Sequence, residues 1–165
     1  MDLGGLLRLA HALSGVAFVA GLVGYWILLG FARRADSIAL MRLYIRASHP
    51  FGRLVTAGGI SLTVLGIATA FILGRPLFGP LQGFGLDWLA VSNVLMLPIF
   101  VFLAVVYPGF ARRLGDALRA AEADGGTEVT PAIASAWADP VYRLARTYEL
   151  IAVVAVFGLM IAKPF

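Results

Sequence analysis

The side chains that could take part in chemistry lie inside or beside long apolar stretches of the sequence. They are Arg8, His11, Tyr25, Ser92, Asn93, Tyr107, Arg146, Glu149 and Met160. An ionisable side chain inside a membrane is costly, and it is therefore a candidate for function. An imidazole can ligate a haem iron, with a methionine or a small ligand on the opposite face. His11 and Met160 are the candidates for that chemistry, and Ser92 and Asn93 are predicted to lie beside them.

The composition excludes several other kinds of site. The 165 residues include no cysteine, which excludes disulfides, thiolate metal sites, iron–sulfur clusters and a dithiol relay. No run of His, Asp or Glu has zinc-ligand spacing, and no serine lies in a nucleophile-elbow sequence. Hydrophobic residues make up 61% of the chain and charged residues 13%, against about 25% charged in soluble domains. The basic residues flank the apolar segments, so a lipid bilayer, and not nucleic acid, is the expected partner.

Four apolar stretches are long enough to cross a bilayer. A spanning helix needs roughly 20 mostly apolar residues, and the candidates are residues 6–31, 51–73, 88–107 and 148–162. The sequence therefore predicts a single all-α membrane domain over residues 1–165. This domain is a four-transmembrane-helix bundle with short amphipathic cytoplasmic helices. The start of the chain has Asp2 and no early basic cluster, which favours a first membrane span over a cleaved signal peptide.

The distribution of basic residues predicts the direction of the spans. Nine of the 13 lysines and arginines lie between the first and second spans or between the third and fourth, and a tenth, Arg53, lies in the first turn of the second span. The positive-inside rule makes these two segments cytoplasmic. Both termini are then periplasmic or extracellular, in a bacterial cytoplasmic (inner) membrane. The three remaining basic residues are Arg8, Arg75 and Lys163.

The connecting segments contain helix signals. Residues 37–48 have arginines at helical spacing and predict a short helix lying on the inner surface, with Pro50 in the first turn of the second span. Residues 111–124 predict a cytoplasmic extension of the third span, ended by two glycines. Residues that are predicted to cap the start of a helix are Asp87, Thr130 and Asp139.

Small residues predict which spans lie next to each other. Span one has Ala17 and Gly21 four residues apart, and span two has Gly58, Gly59 and Gly66. Such residues allow close approach of helices in lipid, so spans one and two are predicted neighbours. The residues of span one that share a face by three-four spacing are Arg8, His11, Gly15, Phe18, Leu22 and Tyr25.

The span directions predict the depth of each candidate residue. His11, Ser92, Asn93 and Met160 lie towards the outer leaflet, whereas Tyr25, Tyr107, Arg146 and Glu149 lie near the inner face. His49 is also on the inner side, on the order of 20–30 Å from His11 at 1.5 Å per residue, which excludes a bis-histidine haem within one subunit. Structural roles remain open: His11 could hydrogen-bond across a helix interface or extend to the outer interface. Glu149 could pair with Arg146 or with the arginines of the first cytoplasmic segment.

Two end motifs resemble those of a known superfamily. The first span has His11, six residues, Phe18, one residue and then Ala20-Gly21-Leu22, and the chain closes with Lys163-Pro164-Phe165. This pattern is similar to the small four-helix HemJ/CopD-like superfamily, including its bacterial predicted integral membrane proteins without an assigned activity. For HemJ-type members the resemblance implies protoporphyrinogen IX oxidation, with haem b held through the first-span histidine. His11 matches that histidine, and Glu149 matches the acid that opens the last span.

The third span departs from the HemJ pattern. HemJ-type third spans have a lysine just after the tryptophan and a histidine further on, whereas Trp88 is followed here by an apolar stretch with Ser92 and Asn93. The resemblance therefore favours the members without an assigned activity.

These observations lead to three alternative hypotheses for the function. The first is an accessory or cofactor-binding membrane protein, with haem b or no cofactor, as a homo-oligomer or part of a larger membrane complex. The second is a haem-dependent oxidoreductase of the HemJ kind. The third is CopD-like copper handling or a small transporter, for which copper would require several Met, His or Cys ligands.

Overall fold

The structure, a computed structural model, describes residues 2–162. The predicted closing motif Lys163-Pro164-Phe165 lies outside the described residues. The helices in chain order are α1 (Leu3–Arg33), α2 (Ile38–Ile72), a 3₁₀ turn (Gly79–Gln82), α3 (Trp88–Val101), a π-helical segment (Phe102–Val106), α4 (Tyr107–Ala123), α5 (Pro131–Ala138) and α6 (Pro140–Ala162). The all-α prediction is confirmed, and four helical stretches are long and apolar enough to cross a membrane.

The chain forms two compact units, which divide between Arg75 and Pro76. The first unit is an antiparallel pair of long helices, α1 and α2. Asp2 caps α1 by accepting a hydrogen bond from the backbone N–H of Gly5 at 2.9 Å, and Ser37 caps α2 at Leu40. These side chains satisfy donors that the first helical turn leaves without a partner.

Glycines allow the backbones of α1 and α2 to approach closely. A Cβ atom at Gly58 would lie 2.9 Å from the backbone nitrogen of Phe18, and one at Gly21 would lie 3.0 Å from that of Val55. A small residue on each helix therefore fits against the backbone of the other. This confirms the prediction that spans one and two are neighbours.

The prediction of a separate surface helix over residues 37–48 is wrong. Helix α2 runs from Ile38 to Ile72 without a break, and Pro50 lies in its interior rather than in a first turn. Proline removes only one helical hydrogen bond, and contacts with a neighbouring helix can hold the helix together on both sides of it. Here Met41 and Ser48 are buried before Pro50, and Gly52 packs against the ring of Tyr25 after it.

The second unit starts with the predicted cap at Asp87. The Asp87 carboxylate accepts from the backbone N–H of Ala90 at 2.8 Å, and α3 begins at Trp88. The helix then passes through a π-helical segment, Phe102–Val106, before it continues as α4. Single π-helical turns inside α-helices are rare and occur often at functional sites. The sequence does not predict this turn.

Helices α4, α5 and α6 meet around an aromatic cluster that consists of Phe110, Trp137 and Tyr142. The rings of Phe110 and Tyr142 are stacked with centroids 3.7 Å apart, and Trp137 meets both rings edge-on. The extension of the third span to Ala123 is confirmed, and so are the helix starts after Thr130 and Asp139. The aromatic cluster fixes the first turns of α6, which contain the polar residues of the second unit.

Asp139 holds the corner between α5 and α6. Its carboxylate accepts from the backbone N–H groups of Tyr142 and Val141 and contacts the guanidinium of Arg113. These hydrogen bonds, that from Tyr142 foremost, lower the pKa of Asp139 below its ordinary value of 3.8. The ionised carboxylate therefore stabilises the fold above that ordinary value, and the contribution is lost as the pH falls through the lowered pKa.

Replacing Asp139 with asparagine is expected to make unfolding less sensitive to acid. Asparagine keeps an acceptor at the cap, so the loss at neutral pH should not exceed about 1 kcal/mol. The measurement is the thermal unfolding midpoint of the detergent-solubilised protein between neutral and acidic pH. Asp124→Asn, which changes an exposed carboxyl after the end of α4, is the control. An equal change in acid sensitivity for both variants would contradict the prediction.

Candidate functional site

His11 faces α2 within the first unit. Its Nδ1 atom lies 3.0 Å from the carbonyl oxygen of Leu62. The ring also lies against Gly66, where a Cβ would come 2.9 Å from the His11 Cε1 atom. Any larger residue at position 66 would push the imidazole out of this place. The predicted hydrogen bond across a helix interface is thus observed.

The hydrogen bond to Leu62 determines which nitrogen of His11 is left for another partner. A carbonyl oxygen only accepts, so Nδ1 carries the proton in the neutral imidazole. The lone pair is then on Nε2. Histidines that ligate a metal usually donate their other N–H group to a carboxylate or a backbone carbonyl in this way. The structural contact at Nδ1 and a ligand at Nε2 are therefore compatible.

The predicted face of span one is the face that packs on α2. Gly15, Phe18 and Leu22 are buried, and the Tyr25 ring lies against Gly52. Arg8 is exposed, and its Nε donates to the carbonyl oxygen of Gly4 at 3.3 Å. Of the two polar candidates that flank His11 on this face, Tyr25 is thus packed against α2 while Arg8 bonds to its own helix.

His11 of α1 and His49 of α2 are far apart along the axis of this helix pair. His11 bonds to Leu62, which is thirteen residues beyond His49, or about 20 Å at 1.5 Å per residue. His49 is exposed inside α2 and does not begin a helix. Within this unit they cannot ligate one iron from opposite faces, in agreement with the prediction from topology.

Ser92, Asn93 and Met160 belong to the second unit. Ser92 is buried, and its hydroxyl donates to the carbonyl oxygen of Trp88 in its own helix at 2.7 Å. The Asn93 side-chain amide donates to the carbonyl oxygen of Leu77 at 2.7 Å and fixes the segment that leads into α3. Met160 is partly exposed on α6. The hydrogen bonds give Ser92 and Asn93 structural roles, and cofactor contact remains a prediction for all three residues.

Tyr107 and Glu149 form a buried polar pair in the second unit. The Tyr107 hydroxyl donates to the Glu149 carboxylate at 2.7 Å, and only 3% of the Glu149 surface is exposed. Tyr107 is the first residue after the π-helical segment, and its backbone N–H bonds back to Phe102. The pair therefore ties α6 to the point where the π-helical segment returns to α-helix.

Arg146 and Tyr142 continue this polar pair along α6. The Arg146 guanidinium donates to the Tyr142 hydroxyl at 2.9 Å, and the Tyr142 ring meets the Tyr107 ring edge-on. Tyr107, Arg146 and Glu149 were predicted to lie near one face of the membrane, and the structure places all three in one cluster. Tyr142 was not predicted, although its spacing of four and seven residues from Arg146 and Glu149 puts it on their face.

Tyr148 provides a further polar contact, between α6 and α3. The sequence pattern does not indicate this contact. The Tyr148 hydroxyl donates to the carbonyl oxygen of Leu95 at 2.9 Å. Leu95 is in α3, three residues before Pro98, so this hydrogen bond ties α6 to α3 close to the proline.

A family model for predicted integral membrane proteins, DUF2269, matches residues 5–164. The match covers both units and nearly the whole chain. The chain belongs to the DUF2269 family. No significant match was found among curated proteins or among solved structures.

Metal binding in this DUF2269 protein would have to use few protein ligands. Among residues 2–162, no group of three or more His, Cys, Asp or Glu side chains is arranged to hold a metal ion. The side chain with a nitrogen placed for coordination is His11, through Nε2. The Tyr107–Glu149 pair is the other candidate site, because a phenol and a carboxyl group are both able to donate and accept protons.

Removing the Tyr148 hydroxyl from this DUF2269 protein is expected to destabilise the second unit. Tyr148→Phe should cost about 1 kcal/mol, the usual net value of one intramolecular hydrogen bond. Unfolding in a denaturing detergent provides the measurement. Tyr44→Phe is the control, because the Tyr44 hydroxyl has no hydrogen bond among the described residues and its ring packs against Phe31. The account of Tyr148 fails if the two variants lose the same stability.

Proposed function

We propose that this chain is an accessory protein of the bacterial cytoplasmic membrane that binds one haem b through Nε2 of His11. In this proposal both termini are on the periplasmic side. The observation that supports it is the 3.0 Å contact between His11 Nδ1 and the Leu62 carbonyl oxygen. That contact orients the ring and leaves the Nε2 lone pair for an iron.

The residues around His11 fit a haem better than a bare metal ion. A porphyrin brings four nitrogen ligands of its own, so the protein has to provide only one axial imidazole. His11 is partly exposed at the α1–α2 interface. Gly66 has no side chain and therefore leaves space for the His11 ring. The bound haem would supply one-electron chemistry, while Leu62 and Gly66 hold the imidazole in one orientation.

The similarity of the His11–Leu22 motif to HemJ/CopD-like proteins supports the same proposal. HemJ-type third spans have a lysine just after the tryptophan and a histidine further on, whereas the third span here contains neither, which favours a binding role over protoporphyrinogen oxidation.

The visible spectrum of the purified protein tests the proposal. The protein, expressed with ample haem and kept in detergent, should show a Soret band that shifts on reduction. His11→Ala should lose that band, while His49→Ala, the matched control, should keep it. Each variant must also elute as a single folded species. A protein that stays colourless after reconstitution with haem, or a His11→Ala variant with the full Soret band, would refute the proposal.

A further inference from the structure

Helix α2 contains a row of basic side chains, which consists of Arg42, Arg46, His49 and Arg53. The spacings of four, three and four residues place them on one face of the helix. Because α2 is continuous through Pro50, the whole row belongs to one helix. A separate surface helix followed by a second span would not fix these residues in one line.

The basic row points away from α1. The side of α2 that packs on α1 contains Met41, Ser48 and Gly58, which are buried. At 100° per residue, the basic row is displaced from that side by well over a quarter turn. Arg46, His49 and Arg53 are exposed and Arg42 is half-buried. Arg46, His49 and Arg53 are therefore open to a partner.

The charges of the row are not neutralised by their own helix. Helix α2 has no Asp or Glu between Ile38 and Ile72. Neither Arg46 nor Arg53 forms a salt bridge with another described residue. Two exposed guanidinium groups thus lie on one face without a carboxylate partner.

The position of the row along α2 matches the headgroup layer of a membrane. The residues that follow Arg53, up to Ile72, are uncharged, and their length of about 29 Å matches the hydrocarbon thickness of about 30 Å. Arg53 is then at the edge of the hydrocarbon, and Arg46 is about 10 Å further out. Long arginine side chains reach from such positions into the headgroup region.

We infer that Arg46, His49 and Arg53 bind the phosphate of an anionic phospholipid in the leaflet that this end of α2 enters. Guanidinium groups make paired hydrogen bonds with phosphate oxygens. Anionic headgroups are attracted by each nearby arginine. The inference concerns a lipid site in the first unit and does not depend on whether His11 binds haem.

Lipid selectivity of the full-length protein in vesicles tests this inference. Spin-labelled phosphatidylglycerol and phosphatidylcholine are compared by the fraction of motionally restricted lipid at the protein. We expect phosphatidylglycerol to be preferred by about threefold or more at low salt. The double variant Arg46→Gln/Arg53→Gln should lose most of that preference. The control is Arg112→Gln/Arg143→Gln, which removes the same charge from exposed positions in the second unit and should keep it.

The outcomes separate a lipid site from its alternatives. Equal loss in both double variants would mean that net charge alone sets the preference, and it would overturn the inference. If millimolar inorganic phosphate at constant ionic strength abolishes the preference, the site binds free anions. That result would overturn the inference that a phospholipid occupies it. Retention of the preference in Arg46→Gln/Arg53→Gln would also overturn it. Unchanged unfolding of that variant in phosphatidylcholine vesicles serves as the folding control.

Discussion

Gly58→Leu is expected to separate α1 from α2 and to cost about 3 kcal/mol or more, at or above the upper end for overpacking. The atoms nearest to a Cβ at Gly58 are the backbone nitrogen and Cα of Phe18, at 2.9 and 3.0 Å. A backbone cannot rotate away as a side chain can, so the helices must move apart. His11 would then be drawn away from the Leu62 carbonyl. The measurement is unfolding in a denaturing detergent, followed by circular dichroism.

Gly30 provides the matched control for Gly58. It is also a glycine inside the α1–α2 pair of helices, but a Cβ there would meet nothing within 4 Å. Gly30→Leu should stay within about 1 kcal/mol of the parent protein, because leucine is the better helix former by roughly that amount. If Gly58→Leu is as stable as Gly30→Leu, the close contact between α1 and α2 is not present in the protein.

Glu149→Ala is the second substitution with a large expected effect, about 3 kcal/mol of lost stability. A buried donor that loses its acceptor, here the Tyr107 hydroxyl, costs about 1–3 kcal/mol, and the cavity left by the shorter side chain adds to that. The loss should be large because Glu149 is buried and accepts the Tyr107 hydroxyl at 2.7 Å. Unfolding in a denaturing detergent gives the measurement. Glu128→Ala, at an exposed loop position, should change stability by no more than about 0.5 kcal/mol.

A double-mutant cycle separates the Tyr107–Glu149 bond from simple loss of volume. Tyr107→Phe and Glu149→Ala, each of which removes one partner of the hydrogen bond, are combined, and their separate effects are compared with that of the double variant. A direct hydrogen bond predicts a coupling of about 1 kcal/mol or more between the two sites. Additive effects would mean that the pair is not bonded in the membrane.

Hydropathy and cap residues were sufficient to predict most of the fold. Length and apolarity identified the four long helices, and Asp87, Thr130 and Asp139 begin helices as expected. The continuity of α2 was not predictable from Pro50, because a proline is compatible both with a first turn and with a helix interior supported by a neighbour. The contacts with α1 decide between the two, and they are tertiary.

The π-helical segment had no clear sequence signal. Residues 102–106 form a run of apolar side chains that fits an ordinary α-helix. Pro98 and Pro108 flank the segment, and they indicate only that the backbone hydrogen bonds nearby are incomplete. The contacts of Tyr148 with Leu95 and of Glu149 with Tyr107 lie on the two sides of the segment. Such contacts depend on how α6 packs against α3, which periodicity alone does not give.

The candidate sites were predictable in part. Three-four spacing placed His11 on the face of α1 that packs on α2, but its partner is a backbone carbonyl. Every residue has such a carbonyl, so no sequence pattern could identify Leu62. Similarly, Glu149 was a candidate because a buried acid in an apolar span is costly. Its partner Tyr107 is 42 residues away along the chain, and only the tertiary structure identifies it.

The proposed haem site requires a free lone pair on Nε2 of His11. The most direct test is to determine which ring nitrogen of His11 carries the proton. The chain has two histidines, so the His49→Gln variant with ¹⁵N-labelled histidine gives the NMR signals of His11 alone. For the neutral ring, the hydrogen bond to Leu62 predicts a protonated, pyrrole-type Nδ1 and an unprotonated, pyridine-type Nε2. Addition of haem should then perturb the Nε2 signal first. A neutral ring with its proton on Nε2 would contradict the account, because no lone pair would remain there for a ligand.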